Sequence, residues 1–248
     1  SEKLKQVMPF VATRAVVLTR QYVLLQATDN LTLAAHNGEA GISIKVDATI
    51  KEKGAIIVPG TLLNEAVSKL RSGLVELSLK EFELQLKQSK KKFAIKGMAI
   101  EEFATTPQVP EGKEPIVLSV PLLAGMISGV MFACSQDESR PVFTGVGIRI
   151  EDNILSLAAA DGTRGAYIQT EVEGKNNLDI IVPTLVLKRL IELGIGEVNV
   201  YLGEKSITVN QNNVVMVSQT IEGKFPKMTP FLDLLKDTKT SIVFDKSA

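Results

Sequence analysis

The sequence predicts an α+β protein built from two copies of one module, and three observations carry that prediction. The first is a repeat at a fixed offset. Ile57-Val58-Pro59 returns as Ile181-Val182-Pro183, and Leu31-Thr32-Leu33-Ala34-Ala35 returns as Leu155-Ser156-Leu157-Ala158-Ala159. Gly38 and Gly41 return as Gly162 and Gly165, and all of these lie 124 positions apart. Leu84-Gln85-Leu86 answers Ile207-Thr208-Val209, and Phe103 answers Phe225, with the offset slipping by one or two. A chance likeness does not hold one offset through several separate elements, so the simplest account is a duplicated unit. The second observation is that helical spacing and strand alternation follow each other in the same order in both halves. The third is composition: 248 residues, 45% apolar and 23% charged, suit one large or two ordinary globular domains.

Taken in chain order, residues 3–11 and 122–133 carry apolar side chains at helical spacing and form the first helix of each copy. Alternating runs follow at 22–25, 31–35 and 42–46, then at 145–150, 154–159 and 166–172. Apolar strands at 56–58 and 180–182 each end in a proline, Pro59 and Pro183. Those prolines are expected in the first turn of a helix, where a missing N–H costs nothing. The helices are expected over 59–71 and 183–193. A meander closes each copy, at 75–79, 83–87 and 93–97 and again at 198–202, 207–210 and 214–219. Each copy therefore packs two helices on antiparallel strands.

The Pro/Gly-containing stretch 106–112 reads as a linker, which sets the domains at 1–112 and 113–240. The second copy opens with a β-branched strand at 115–120. Its counterpart in the first copy would precede Ser1. After a linker-like stretch at 227–239, residues 241–245 resemble that opening strand again, so 241–248 is expected to begin a third copy. On this reading the chain is clipped at both ends.

One Cys, one His and no Trp exclude much chemistry. Cys134 alone gives no disulfide framework, and His36 with Cys134 makes no zinc site without several carboxylates. No Ser-His-Asp or Cys-His set forms without His36 as base, so no catalytic residue, metal or cofactor is expected. The lack of disulfides fits a reducing cytoplasm. No stretch approaches the roughly 18 to 20 uninterrupted apolar residues of a membrane span, and the first residues hold no signal-peptide core. Cys134, beside Phe132 and Ala133, reads as a buried small hydrophobe, and His36 as a surface residue at a strand end. Asp137-Glu138 reads as a polar loop and Asp161-Gly162-Thr163-Arg164 as a turn.

Asp137-Glu138-Ser139-Arg140-Pro141-Val142-Phe143-Thr144-Gly145-Val146, followed by Ala159-Ala160-Asp161-Gly162-Thr163-Arg164, resembles the middle domain of the bacterial sliding-clamp family. That family comprises the β subunits of DNA polymerase III. Ile221-Glu222-Gly223-Lys224-Phe225-Pro226 is similar to the same domain's closing motif. The resemblance covers essentially the whole chain and is looser in the first half. There, Ala15-Val16-Val17-Leu18 stands where the family has a Pro-rich turn. It implies three such domains per subunit, closing head to tail as a homodimer into a six-domain ring around duplex DNA, with helices lining the hole. The implied role is a processivity factor without catalysis. Its implied partners are double-stranded DNA of any sequence, the polymerase III catalytic subunit, the clamp loader and other proteins carrying a clamp motif.

A sliding ring needs diffuse positive charge, because phosphate contacts add affinity without sequence information. The net charge is zero, but residues 1–124 hold 16 basic against 13 acidic side chains and the remainder 12 against 15. Candidate DNA-facing residues are Lys3, Lys5, Arg14, Lys69, Arg71, Lys188 and Arg189. Arg14 falls where the family has a DNA-contacting Arg; for the others a solvated helix face is an equal reading. The basic run 87–92 is expected at a hairpin, as a solvated turn. The resemblance also implies an apolar cleft for partner peptides, with a near wall of Phe143, Ala160, Gly162, Thr163, Arg164, Gly165, Pro226, Pro230 and Phe231. Gly165 replaces a large aliphatic residue of the family and Ala160 a Thr, so a wider or shallower pocket is expected. A two-domain clamp closing as a trimer is the alternative within the class. An enzyme on a duplicated α+β scaffold is the alternative outside it.

Overall fold

A computed structural model describes residues 2–103, 106–172, 177–228, 232–233, 240 and 242–243. The first repeat runs α1 (Glu2–Val7), β1 (Tyr22–Ala27), β2 (Leu31–His36), β3 (Ala40–Val46), β4 (Gly54–Pro59), α2 (Gly60–Ser68), β5 (Glu76–Lys80), β6 (Glu83–Gln88) and β7 (Lys91–Lys96). The second opens with β8 (Ile116–Ser119) and α3 (Val120–Val130). It continues with β9 (Gly145–Glu151), β10 (Ile154–Ala160), β11 (Gly165–Glu171), β12 (Leu178–Pro183) and α4 (Thr184–Ile191). β13 (Glu197–Leu202), β14 (Ser206–Gln211) and β15 (Val214–Gln219) complete it. From the first helix onward the two repeats match element for element. The expected third-copy strand at 241–245 falls mostly outside the described residues; Ile242 and Val243, which are described, carry no strand.

Sheet order repeats as well. β4-β1-β2-β3 in the first repeat is matched by β12-β9-β10-β11 in the second, and the meander β5-β6-β7 is matched by β13-β14-β15. The strand that leads into each second-repeat helix pairs in the other half: β8 with β13, and β12 beside β9. Strand β3 pairs antiparallel with β15, placing Ile42 opposite Met216 and Ile44 opposite Val214. The result is one eight-stranded sheet, β4-β1-β2-β3-β15-β14-β13-β8.

That joint decides how the chain divides into compact units. One unit holds Ser1–Gly125 with Val182–Thr220, and the other holds Met126–Ile181 with Ile221–Ala248. The boundary therefore cuts across the second repeat, because hydrogen bonding along β3 and β15 draws the second meander onto the first repeat's sheet.

In the first unit, α1 packs on β2 and β3, and α2 on β1, β4 and β7. Leu4 and Val7 of α1 are buried, as are Leu63 and Ala66 of α2. These spacings of three carry one apolar stripe on each helix, and a fully buried Leu contributes about 2 kcal/mol. Around them Val23, Ile42, Ile44, Ile57 and Leu86 form a solvent-free interior. In the second unit Leu155, Leu157, Ala159 and Ile181 do the same.

Pro59 and Pro183 precede the helices rather than opening them. Each ends its strand with extended backbone (ψ 121° and 144°) and occupies the N-cap position. The fixed φ of proline satisfies both roles, and at a strand end the missing N–H removes little. Helix α2 stops at Ser68, not at 71. Gln88 accepts the Arg71 N–H at 2.8 Å and donates back to the Arg71 carbonyl at 2.9 Å, turning the chain out of the helix.

Gly97 follows β7, where its N–H reaches the Phe82 carbonyl and Met98 pairs with Ile57. A Cβ there would lie 2.3 Å from the Ile57 carbonyl oxygen and 2.6 Å from the Ile56 side chain. Gly97→Ala is expected to destabilise the protein by about 2 kcal/mol, as overpacking against backbone does. A shift of the urea midpoint without a change in slope is the readout.

Candidate functional site

Two groups of residues carry the functional reading: a wall in the second unit and a set of cations on the helices and loops. The wall begins at the turn joining β10 to β11. Ala160 ends β10 and pairs with Gly165, which starts β11. Between them the Asp161 carboxylate accepts the Thr163 N–H at 2.9 Å, the Thr163 hydroxyl at 2.8 Å and the Arg164 N–H at 3.1 Å. It also accepts Arg164 Nε–H at 2.9 Å. Gly162 sits at φ +95°, a conformation that favours glycine. These donors, the Thr163 amide first, hold the Asp161 carboxyl far below the usual carboxylate range. Asp161-Gly162-Thr163-Arg164 is thus a turn closed on its own aspartate.

The same turn stands in the first repeat. Asn37 Oδ1 accepts the N–H groups of Glu39 at 3.0 Å and Ala40 at 2.9 Å, with Gly38 at φ +106°. His36, the counterpart of Ala160, is half-buried and accepts the Gly38 N–H at Nδ1, 3.0 Å away. Burial first, and Arg20 second, push its pKa down. Its ring is a structural acceptor for the turn, not a plain surface side chain.

Phe225 organises the rest of the wall. It is buried, with Ala158 and Ile181 beside it, and Phe143, Ala160, Val142, Tyr167 and Met228 pack around them. The Phe143 ring meets Phe225 edge to face, with centroids 6.1 Å apart. Gly147 lets Phe225 lie flat on β9, since a Cβ there would come within 2.6 Å of the ring. Arg164 stands 5.8 Å from the centroid of the exposed Phe132 ring, within cation–π range. Gly162, Thr163, Arg164 and Pro226 are exposed around this cluster.

The expected wider pocket at Gly165 is not empty space. Met228 places its Cε 3.2 Å from where a Cβ at Gly165 would stand, so a flexible thioether fills the volume of the replaced aliphatic residue. Pro230 and Phe231 lie outside the described residues. Phe225, Val142, Tyr167 and Met228 complete the cluster and were absent from the expected wall. The Phe103–Phe225 match was the available signal for Phe225, since Phe103 packs in the equivalent first-repeat cluster with Leu24, Ala34 and Ile57.

A groove of about 270 Å³ lies on the sheet face and shares Phe225, Tyr167 and Met228 with this cluster. Its polar lining is Arg149, Ser156, Gln169 and Asp179, and among the described residues Pro226 is the member of the expected wall that it touches. Arg149 donates to Asp179 at 2.9 Å and Tyr167 to Gln169 at 2.7 Å, so its polar groups satisfy one another.

Among the cations, Lys3, Lys5, Arg14, Lys69, Arg71 and Lys188 are exposed. Lys69 caps the C-terminus of α2 and Arg71 lies beyond it. Arg189 differs. Its side chain is 21% exposed and paired with Glu192 at 2.6 Å, and its buried Nε faces a small cavity that Gln6 also lines. Its charge is spent inside the fold. The basic run 87–92 forms the β6–β7 hairpin as expected, with Ser89 at φ +53°. Cys134 is half-buried, not buried, with its thiol 3.4 Å from the Gly145 carbonyl. Asp137 accepts the Ser139 N–H at 2.9 Å in a polar loop. Among the described residues no His, Cys, Asp and Glu groups cluster as metal ligands, and no helix is long and apolar enough to cross a membrane.

A unit of two helices and two antiparallel sheets, repeated in tandem and joined edge to edge, defines the clamp class of α+β proteins. The sequence profile of the DNA polymerase III beta subunit, N-terminal domain, matches residues 1–107. The profile of the central domain of the same subunit matches residues 118–227. The chain belongs to the DNA polymerase III beta-subunit family. It is 25% identical over 247 residues to the beta sliding clamp of Chlamydia pneumoniae, covering 96% of this chain and 67% of that protein. To the beta sliding clamp of Staphylococcus aureus it is 27% identical over 223 residues, covering 85% of this chain and 59% of that one. The solved sliding clamp of Bartonella birtlesii superposes with a TM-score of 0.84 at 26% identity, over 92% of this chain and 64% of its own. The chain thus spans about three fifths to two thirds of the length of these relatives.

Two outcomes are expected at the wall. Phe225→Ala should cost about 3 kcal/mol, the usual penalty for emptying a buried aromatic site, read by denaturant unfolding. The Asp161 carboxyl should remain ionised at about pH 3, below the ordinary aspartate pKa. Because folding depresses its pKa, the stabilisation is complete above the ordinary aspartate range and is lost only as pH falls toward the depressed value. Carboxyl-carbon NMR titration, with the Thr163 amide as reporter, reads this directly.

Proposed function

We propose that this chain supplies two modules of a DNA sliding clamp. The clamp is a non-catalytic processivity factor of the cytoplasm that encircles duplex DNA. It tethers the DNA polymerase III catalytic subunit, the clamp loader and other proteins that carry a clamp-binding peptide. The domains run 1–112 and 113–240, with 241–248 leading into a third. The single observation that carries the reading is the β3–β15 pairing, which joins repeats edge to edge in one sheet. β11 is to the second repeat what β3 is to the first, and β7 is to the first what β15 is to the second. Each such joint leaves an equivalent edge for the next module. Head-to-tail addition of this kind closes into a ring when the rotation per joint divides a full turn. The greater length of the relatives favours three modules per subunit, and so a homodimer of six modules.

On this reading Lys3, Lys5, Arg14, Lys69, Arg71 and Lys188 meet phosphates, while Arg189 contributes little because Glu192 neutralises it. The contacts are to phosphate alone, and so allow sliding. The wall of Phe143, Ala160, Gly162, Thr163, Arg164, Gly165 and Pro226, with Pro230 and Phe231 after it, receives the partner peptide. An aromatic or Leu anchor buried there contributes about 2 kcal/mol.

Topology gives the test. The full-length subunit carrying this chain, loaded on nicked circular duplex, should survive a high-salt wash and be released when the circle is linearised. Equal release from circular and linear DNA would overturn the proposal.

A further inference from the structure

The structure brings together two basic segments that are separate in the sequence. The β6–β7 hairpin folds onto the chain leaving α2. The Gln88 side-chain amide accepts the Arg71 N–H and donates to the Arg71 carbonyl and, at 3.3 Å, to the Leu74 carbonyl. Lys91 Nζ donates to the Lys69 carbonyl. Lys69, Arg71, Lys90, Lys91 and Lys92 therefore occupy one locality. All five are exposed, and among the described residues none is ion-paired with a carboxylate.

The second repeat supplies an internal control. Gln211, the counterpart of Gln88, donates to the Ile195 carbonyl at 2.8 Å, so the same glutamine ties the same hairpin to the same exit from a helix. Asn212 stands at φ +52° where Ser89 stands at φ +53°. The C-cap residue is Lys69 in α2 and Glu192 in α4. Lys90, Lys91 and Lys92 become Asn213, Val214 and Val215. The scaffold is kept and the cations are not, so the fold does not require them. Lys69 and Lys91 gain something from the negative end of α2, but Arg71, Lys90 and Lys92 serve no such purpose.

We infer that Lys69, Arg71, Lys90, Lys91 and Lys92 form a polyanion-binding patch that engages the phosphate backbone of a nucleic-acid duplex. The inference rests on the clamp reading and extends it: the hairpin, not only the helices, supplies phosphate contacts, and it does so in the first repeat alone. Flexible, exposed lysines suit diffuse phosphate contact. A protein interface, by contrast, is depleted in lysine.

The test is fluorescence anisotropy of a short labelled duplex against KCl concentration. Three proteins are compared: the parent chain, a Lys90→Asn/Lys91→Gln/Lys92→Gln variant, and a control with Lys45→Gln/Lys51→Gln/Lys224→Gln. Each phosphate contact adds about 0.9 to the slope of log affinity against log salt, so the hairpin variant should lose about 2 to 3 of that slope. The control should lose none, and both should melt at the parent temperature. Equal loss in both variants would reduce the patch to net charge and overturn the inference. So would an unchanged slope with altered self-association by light scattering, which would assign the patch to an acidic protein surface. If the parent shows no salt-dependent duplex binding, the patch inference is overturned, while the clamp reading stands or falls on the nicked-circle test.

Discussion

The antiparallel pairing of β3 with β15 is the interaction on which the rest depends. Either four-stranded sheet alone would present unpaired backbone along an edge, which exposes strands to non-specific association. Joining the edges satisfies those groups and fixes register, because a slip of one residue would turn Ile42, Ile44 and Met216 outward. All three are buried. Continuity of the sheet, rather than a linker, is therefore what ties the two repeats together.

The same joint brings the first of the two equivalent turns against the end of β15. In the first repeat the turn Asn37-Gly38-Glu39-Ala40 meets the end of β15, where the Gln219 N–H reaches the Glu39 carbonyl at 2.9 Å. Pro107 closes over Gly41. In the second repeat the counterpart, Asp161 to Arg164, presents Gly162, Thr163 and Arg164 to solvent. The polar group differs between the two turns: Asn37 accepts two backbone N–H groups in the first, whereas the Asp161 carboxylate also accepts the Thr163 hydroxyl and Arg164 Nε–H in the second.

The repeat was legible in the sequence because glycine and proline mark backbone positions that side chains cannot replace. Gly38 and Gly162 share a left-handed turn, and Pro59 and Pro183 share a strand-to-helix corner. Strand and helix periods placed the α-helices and strands of the two repeats within a few residues, but not the short 3-10 turns at Leu18–Gln21 and Pro141–Phe143. The strand expected at 241–245 is absent at Ile242 and Val243. Partner choice was not legible, since periodicity says which face of β3 is buried but not that β15 pairs with its edge. Nor could spacing show that Met228 fills the volume beside Gly165, or that Glu192 takes up the charge of Arg189. Those depend on contacts between residues whose separation in sequence carries no signal. The hairpin lysines were visible as a run, but only the Lys91 and Gln88 hydrogen bonds place them beside Lys69 and Arg71.

The divergence of charge on a shared scaffold bears on the proposed sliding contact with DNA. If both repeats carried the five-cation patch, each would add phosphate contacts in the same register, and the combined affinity would multiply. Confining the patch to one repeat keeps the field local and the total modest, while the other copy keeps the glutamine tie and leaves that corner without cations. The excess of basic residues in the first half and of acidic residues in the second follows the same division. On the proposed reading one copy carries the polyanion patch and the other the apolar wall around Phe225, and neither disturbs the buried strands that both copies share.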